Sequence, residues 1–276
     1  MSQLTSHLLL DAQTVRIHDV VCTGACRHPV DEECSGETHF VFPYRGIFVR
    51  HLGKSEAVGE ANQLMFFNGN ESYRISHPVS GGDACLSFYV ADSILHELAP
   101  RSQLQPGEIT KFRNQRLRID ARAQALVALL RHSLSRGSAE PLEGESLALT
   151  LLKRALGERT SHVSTASHGL EKLVDRAKLV LSSDLSRRWS LAEIAAEVRV
   201  SPVYLTQVFQ QVEGMPLYQY QLRLRLARAL DLLGRYDDLT TLSADLGFSS
   251  HSHFTATFRK MYGRTPAEFQ RAVALR

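Results

Sequence analysis

From about Thr38 to Val90, apolar residues come in short runs broken by turn residues. Residues 39–43, 46–52, 63–67, 72–76 and 84–90 read as strands, with Asn68-Gly69-Asn70 and Gly81-Gly82-Asp83 as tight turns. Many short strands at this spacing predict a barrel or sandwich, whose mouth is a natural small-molecule pocket. After Lys111 the apolar period lengthens from two to nearly four. Leu126, Leu129, Leu130 and Leu134 share one helical face, Leu147, Leu151, Leu152 and Leu156 another, and residues 137–144 connect them. These leucine rows must be covered, either by the strands or by a second copy of the chain in a dimer. Residues 160–169, rich in Ser, Thr and His without an apolar period, read as a linker.

The last hundred residues repeat one pattern. Ser201, Leu205, Phe209 and Gly214 recur 49 residues later as Ser250, Phe254, Phe258 and Gly263, whereas Ile194, Ala196 and Val200 recur 48 later as Leu242, Ala244 and Phe248. The second copy therefore has one extra residue in its turn. In the first copy, Ser190 and Glu193 form a capping box for a helix over 191–198, and Ser201-Pro202 caps a second helix running to about Glu213. Two short helices joined by a tight turn form a helix-turn-helix, and two such hairpins can present two recognition helices to one DNA groove. Between them, Leu217, Tyr220, Leu224, Ala227, Leu230 and Leu233 predict a connecting helix carrying Arg223, Arg225 and Arg228, which either reach phosphate or form a solvated or salt-bridged face.

On the first recognition helix, Leu205, Val208, Phe209 and Val212 form the buried stripe and leave Val203, Thr206, Gln207 and Gln210 facing outward. Gln pairs bidentately with adenine, and Thr and Val pack on a thymine methyl. In the second copy the scaffold helix spans 240–246, and burial of Phe254, Phe258 and Met261 leaves His251, Ser252, Thr255, Ala256 and Arg259 outward, with His253 at the helix start. Ala256 stands where Gln207 stands in the first copy, so the first helix should carry most base reading, and Arg259 and Lys260 should contact phosphate. His251 and His253 cannot chelate one ion from one helical face, because residues two apart point away from each other.

Charge adds a modest lean toward nucleic acid. Residues 1–169 carry 17 basic and 18 acidic side chains, and residues 170–276 carry 15 and 11. With 276 residues, 43% of them hydrophobic, the chain is long enough for two domains. No apolar run approaches a membrane span, and residues 1–19 lack the flanks and apolar length of a signal peptide, so a cytoplasmic location with no membrane partner is expected. Cys22, Cys26, Cys34 and Cys85 all precede the helices. As thiols in a reducing compartment they are candidates for zinc or another thiophilic metal, completed by one of His18, His28, His39 and His77, or for oxidant sensing, or they have no special role. Cys85, on a strand, fits core packing equally well. Tyr73, Arg74 and His77 are candidates for an effector pocket.

The residues Ser190-Leu191-Ala192-Glu193-Ile194-Ala195, Ser201-Pro202, Tyr204-Leu205, Phe209, Gly214-Met215, Arg225-Leu226, Leu246-Gly247-Phe248, Ser252-His253-Phe254, Gly263 and Thr265-Pro266 resemble the AraC/XylS family of bacterial transcription regulators over about residues 170–271. The resemblance implies base contacts from Val203, Thr206 and Gln207, then His251, Ser252, His253 and Ala256, the last replacing an Arg common in the family. It also implies an α+β chain. A cupin-like β-barrel sensor over 1–112 would be followed by dimerisation helices over 113–160, a linker over 161–169 and an all-α double helix-turn-helix domain over 170–276. The expected protein is a homodimeric activator that binds double-stranded DNA and RNA polymerase and responds to a small molecule, metal or oxidant. The alternative, a metal-dependent cupin enzyme with a DNA-binding tail, lacks the cupin His-x-His motif, because His39, His51 and His77 stand alone.

Overall fold

A computed structural model describes residues 4–24, 29, 31–107 and 110–274. The N-terminal half contains β1 (Leu4–Asp11), β2 (Val15–Cys22), β3 (Glu33–Cys34), β4 (His39–Arg45), β5 (Ile47–Leu52), β6 (Ser55–Glu60), β7 (Gln63–Phe67), β8 (Ser72–Ser76) and β9 (Asp83–Val90). There follow α1 (Asp92–Leu98), β10 (Arg116–Ile119), α2 (Ala121–Ser135), α3 (Pro141–Leu156) and β11 (Ser161–His162). The strands form a seven-stranded sheet in the order β1-β2-β9-β4-β7-β10-β11 and a four-stranded sheet in the order β3-β8-β5-β6, with antiparallel pairings. Among the described residues neither order closes on itself. The expected barrel is therefore two open sheets, and it runs past residue 112, because β10 and β11 extend the large sheet.

Both faces of the large sheet are covered. Phe40, Phe42, Leu64, Phe66, Leu86 and Phe88 turn one way, onto Leu130, Leu151, Leu152 and Leu156 of α2 and α3. Their neighbours Val41, Met65, Phe67 and Cys85 turn the other way, onto Phe48 and Ala57 of the small sheet. Strands buried on both faces read as unbroken apolar runs, which is why β4 shows no polar alternation. The leucine rows are thus covered largely within the chain, and Ala125, Ala128 and Leu129 of α2 pack on the C-terminal half instead.

That half is all helix: α4 (His168–Ser183), α5 (Leu191–Val198), α6 (Pro202–Glu213), α7 (Leu217–Leu232), α8 (Leu239–Asp245), α9 (His251–Tyr262) and α10 (Pro266–Ala274). Val174, Ala177 and Leu181 of α4 close the core of the first hairpin, and Leu226, Leu230, Phe269 and Val273 close that of the second. Among the described residues no helix is long and apolar enough to cross a membrane.

Candidate nucleic-acid interface

Local chemistry sets the first hairpin. The Ser190 side chain accepts from the Glu193 N–H while the Glu193 carboxylate accepts from the Ser190 N–H, so α5 opens with a reciprocal cap. Arg199 takes a left-handed conformation (φ 61°) to end it, and Ser201 starts α6 by accepting from the Tyr204 N–H, with Pro202 at the first position. Leu205, Val208, Phe209 and Val212 are buried. Val203 (69% exposed), Thr206, Gln207 and Gln210 form the expected outward stripe. The Thr206 hydroxyl donates to the Pro202 carbonyl at 3.0 Å.

The second hairpin repeats the plan. Asp238 caps α8 by accepting from the N–H groups of Thr240 and Thr241, and Ser250 caps α9 by accepting from that of His253. His251, Ser252, His253, Ala256, Arg259 and Lys260 are exposed and Thr255 is half-buried. His253 is steadied by Ser249 (3.1 Å) and by an edge-on contact with Phe248.

The arginines of α7 are structural. Arg225 is buried and donates to the carbonyls of Leu185 (2.8 Å), Ser186 (3.2 Å) and Arg187 (2.7 Å) before the first hairpin and to Gly247 (3.0 Å) in the turn of the second. One guanidinium therefore fixes one hairpin against the other. At Gly247 (φ 75°) a Cβ would stand 2.0 Å from the Ser186 carbonyl oxygen, so only glycine fits this junction. Arg223 donates to the Ile119 carbonyl at 2.7 Å, and Arg228 pairs with Asp231. Arg223 and Arg225 are thus buried on backbone carbonyls, and Arg228 is the salt-bridged one of the three.

A charged layer that the sequence did not suggest joins the halves. Lys178 of α4 is fully buried, 2.6 Å from Glu213 and 3.5 Å from Asp175, and Asp175 also meets Arg116 of β10 at 2.8 Å. Glu213 is the last residue of α6, so the recognition helix ends inside this layer. Burial pushes the Glu213 carboxyl up, but the Lys178 and Arg116 charges outweigh it and hold the group below the usual carboxylate range. Beside it the Tyr220 hydroxyl of α7 donates to Glu60 of β6 and lies 3.2 Å from Gln63 of β7. Burial raises the carboxyl of Glu60 above its ordinary value. The only sequence signal was Asp175 and Lys178, spaced like an ordinary surface pair on a helix.

Of the remaining candidates, the structure brings Cys22 and His77 together. Cys34 is exposed, Cys22 and Cys85 are buried, and Cys26 lies outside the described residues. Burial pushes the Cys85 thiol well above its ordinary value, which disfavours a reactive thiolate. Tyr73 packs edge-on against Phe67 near the Arg50 guanidinium, while Arg74 pairs with Glu32 at the surface and His77 sits against Asp83. His39, stacked on Phe67 and Tyr89, is held down to about 4 by burial.

Residues 194–272 match the helix-turn-helix domain family HTH_18. The probable transcriptional regulator LumQ of Photobacterium leiognathi is 29% identical over 240 residues, 85% of this chain and 92% of that protein. The arabinose operon regulatory protein of Salmonella typhimurium is 27% identical over 154 residues, so this chain spans about half (55%) of its length. A solved transcriptional regulator with an AraC-type DNA-binding domain, from Chromobacterium violaceum, is 30% identical and covers 39% of this chain and 97% of its own, with a TM-score of 0.37. With its two capped hairpins and this sequence similarity, the chain belongs to the AraC/XylS family of DNA-binding transcriptional regulators.

Proposed function

We propose that the protein is an activator that binds specific double-stranded DNA near promoters, and that its N-terminal half is a cupin-like sensor of a small molecule, metal ion or oxidant. The observation that carries the DNA reading is the acid-free outward stripe of Val203, Thr206, Gln207 and Gln210, held opposite a fully apolar stripe on a helix capped at both ends. Gln207 would pair with a base edge and the Val203 and Thr206 methyl groups would pack on thymine. His251, Ser252, His253 and Thr255 would line the second contact, with Arg259 and Lys260 on phosphate. The Arg225 bridge supports simultaneous docking, because it fixes the relative orientation of the two helices. The charged layer supports transmission from the sensor, since it holds the end of α6. Leu4 and Leu8, 64% and 54% exposed on the edge strand β1, are apolar surface suited to a homodimer. RNA polymerase would be the partner of the DNA-bound form in a cytoplasmic setting.

Fluorescence anisotropy on an operator and its single-base variants tests this reading. Gln207→Ala should cost about 1–3 kcal/mol on the preferred sequence and relax discrimination at one base pair. Lys260→Ala should weaken all sequences alike and lower the salt dependence by about one phosphate contact. Unchanged base preference in Gln207→Ala would remove α6 from the groove.

A further inference from the structure

One buried cluster of side chains is left unused by the DNA-reading machinery. Cys22 ends β2 and stands directly opposite Asp83, which begins β9. His77 arrives from the loop after β8, with its Nε2 2.7 Å from Asp83 Oδ1. A thiol, an imidazole and a carboxylate each offer one donor atom here, and the three atoms lie within 4.8 Å of one another. Cys22, His77 and Asp83 are only 4%, 7% and 7% exposed. His77 Nδ1 is buried and has no hydrogen-bond partner, a costly state for an imidazole nitrogen. Gly82 lets the strand ends close in, because a Cβ there would stand 2.1 Å from the Cys22 carbonyl oxygen.

We propose that Cys22, His77 and Asp83 form a binding site for a thiophilic divalent metal ion of the zinc class. Donors about 3.6 Å apart suit bond lengths of roughly 2.0–2.3 Å around a tetrahedral ion, a spacing that lies between the 2.7 Å of His77 to Asp83 and the 4.8 Å that bounds the cluster. A thiolate and a carboxylate neutralise the dication, and the sulfur donor selects against magnesium and calcium. Three protein ligands leave a fourth position for water or an exchangeable ligand.

The site also lies where it can act. His77 and Asp83 bracket a loop whose Val79 packs in one cluster with Leu179 of α4. Ser80, Gly81 and Gly82 of the same loop line a cleft of about 350 Å³ shared with Leu185, Leu224 and other residues of the C-terminal half. An ion tying both ends of the loop to β2 would fix one wall of that cleft. The proposal deepens the effector part of the reading above and is independent of its DNA-reading part.

The test is metal binding by the full-length chain, stripped with a chelator and titrated with Co2+ and then Zn2+. One cobalt per chain is expected, with a sulfur-to-cobalt charge-transfer band in the near ultraviolet. Cys22→Ser should abolish that band, His77→Ala and Asp83→Asn should each weaken binding by about tenfold or more, and Cys34→Ser should leave it intact. Circular dichroism verifies that each variant is folded. X-ray absorption of the zinc-loaded wild-type protein gives a readout free of mutations: one sulfur with nitrogen and oxygen donors is expected. No stoichiometric cobalt, two or more sulfur ligands, or a band lost in Cys34→Ser and kept in Cys22→Ser would each overturn the assignment. Gln207→Ala should keep the wild-type cobalt stoichiometry, so failure of the DNA reading and failure of the metal site are distinguishable.

Discussion

The two hairpins share a frame but are fastened to the rest of the molecule differently. At the 49-residue spacing, Glu213 at the end of α6 corresponds to Tyr262 at the end of α9. Glu213 is buried among Lys178, Arg116 and Arg118. Tyr262 packs with the aromatic cluster of Phe258 and Phe269, and its hydroxyl reaches Gln124 of α2 at 3.5 Å. The end of α6 is thus tied to the N-terminal half by the charges of Arg116 and Arg118, and the end of α9 by the Gln124 contact and the apolar packing of Ala125 and Leu129 of α2 on its cluster. A buried ion pair responds sharply to loss of a partner, whereas apolar packing yields gradually. The first hairpin, whose outward stripe carries Gln207 and Gln210, is also the one joined to the N-terminal half by charge.

The most severe way to break this comparison is Lys178→Met. The substitution leaves Glu213 and Asp175 buried with less compensating charge, and removal of one partner from such a pair costs about 3–5 kcal/mol. Urea denaturation should register that loss. A change below about 1 kcal/mol would mean that Arg116 and Arg118 neutralise both carboxylates without Lys178 and that this lysine does not anchor α6.

Acid should separate the charged layer from a further contact between the halves, that of α2 with α7. His132 of α2 lies 3.1 Å from the Leu230 carbonyl oxygen of α7 and beside Arg131, which pairs with Asp231 at 2.9 Å. Burial, reinforced by the Arg131 charge, holds its pKa down to about 4 from 6.5. The unfolded chain therefore takes up this proton before the folded chain does, so stability present above pH 6.5 is lost as the pH falls toward 4. Between pH 7 and 5 the loss from this group is about 2 kcal/mol. His39 contributes in the same direction, so His132→Gln should remove only its own share of the slope. Glu213, held below its usual range, loses its contribution only at lower pH. The α2–α7 contact should therefore weaken before the charged layer, and an unaltered pH slope in His132→Gln would contradict this order.

The contrast was only partly legible in the sequence. The bounds of α5 and α6 follow from Ser190, Glu193, Ser201, Pro202 and Gly214, because capping is encoded within a few neighbouring residues. β4, β5, β7, β8 and β9 were legible as apolar runs between turns. β1 was missed because its residues are mostly exposed, and β6 because Glu56, Gly59 and Glu60 are poor strand formers. The attachments were hidden for a different reason. Lys178 finds Glu213 35 residues away, Arg225 finds Gly247 across a turn, and Cys22 finds Asp83 through strand register. Each side chain looks ordinary in its own segment, and only tertiary placement removes its water and makes its partner necessary.

Tyr262→Phe sharpens the second hairpin's side of the comparison and should have the smallest effect. A 3.5 Å contact to Gln124 is at the long limit for a hydrogen bond, so deletion of the hydroxyl should cost about 0.5 kcal/mol, the low end for a neutral pair. The ring remains edge-on to Phe258 on the same helix, 4.8 Å between centroids, and keeps its place in the apolar cluster with Phe269 of α10 and Leu129 of α2. Near-wild-type urea stability and DNA affinity would then identify the ring as the anchor, in contrast to the ionic anchor at Glu213. A loss of about 2 kcal/mol or more would instead show that the hydroxyl satisfies a buried polar group on α2, giving both recognition helices polar attachments to the N-terminal half.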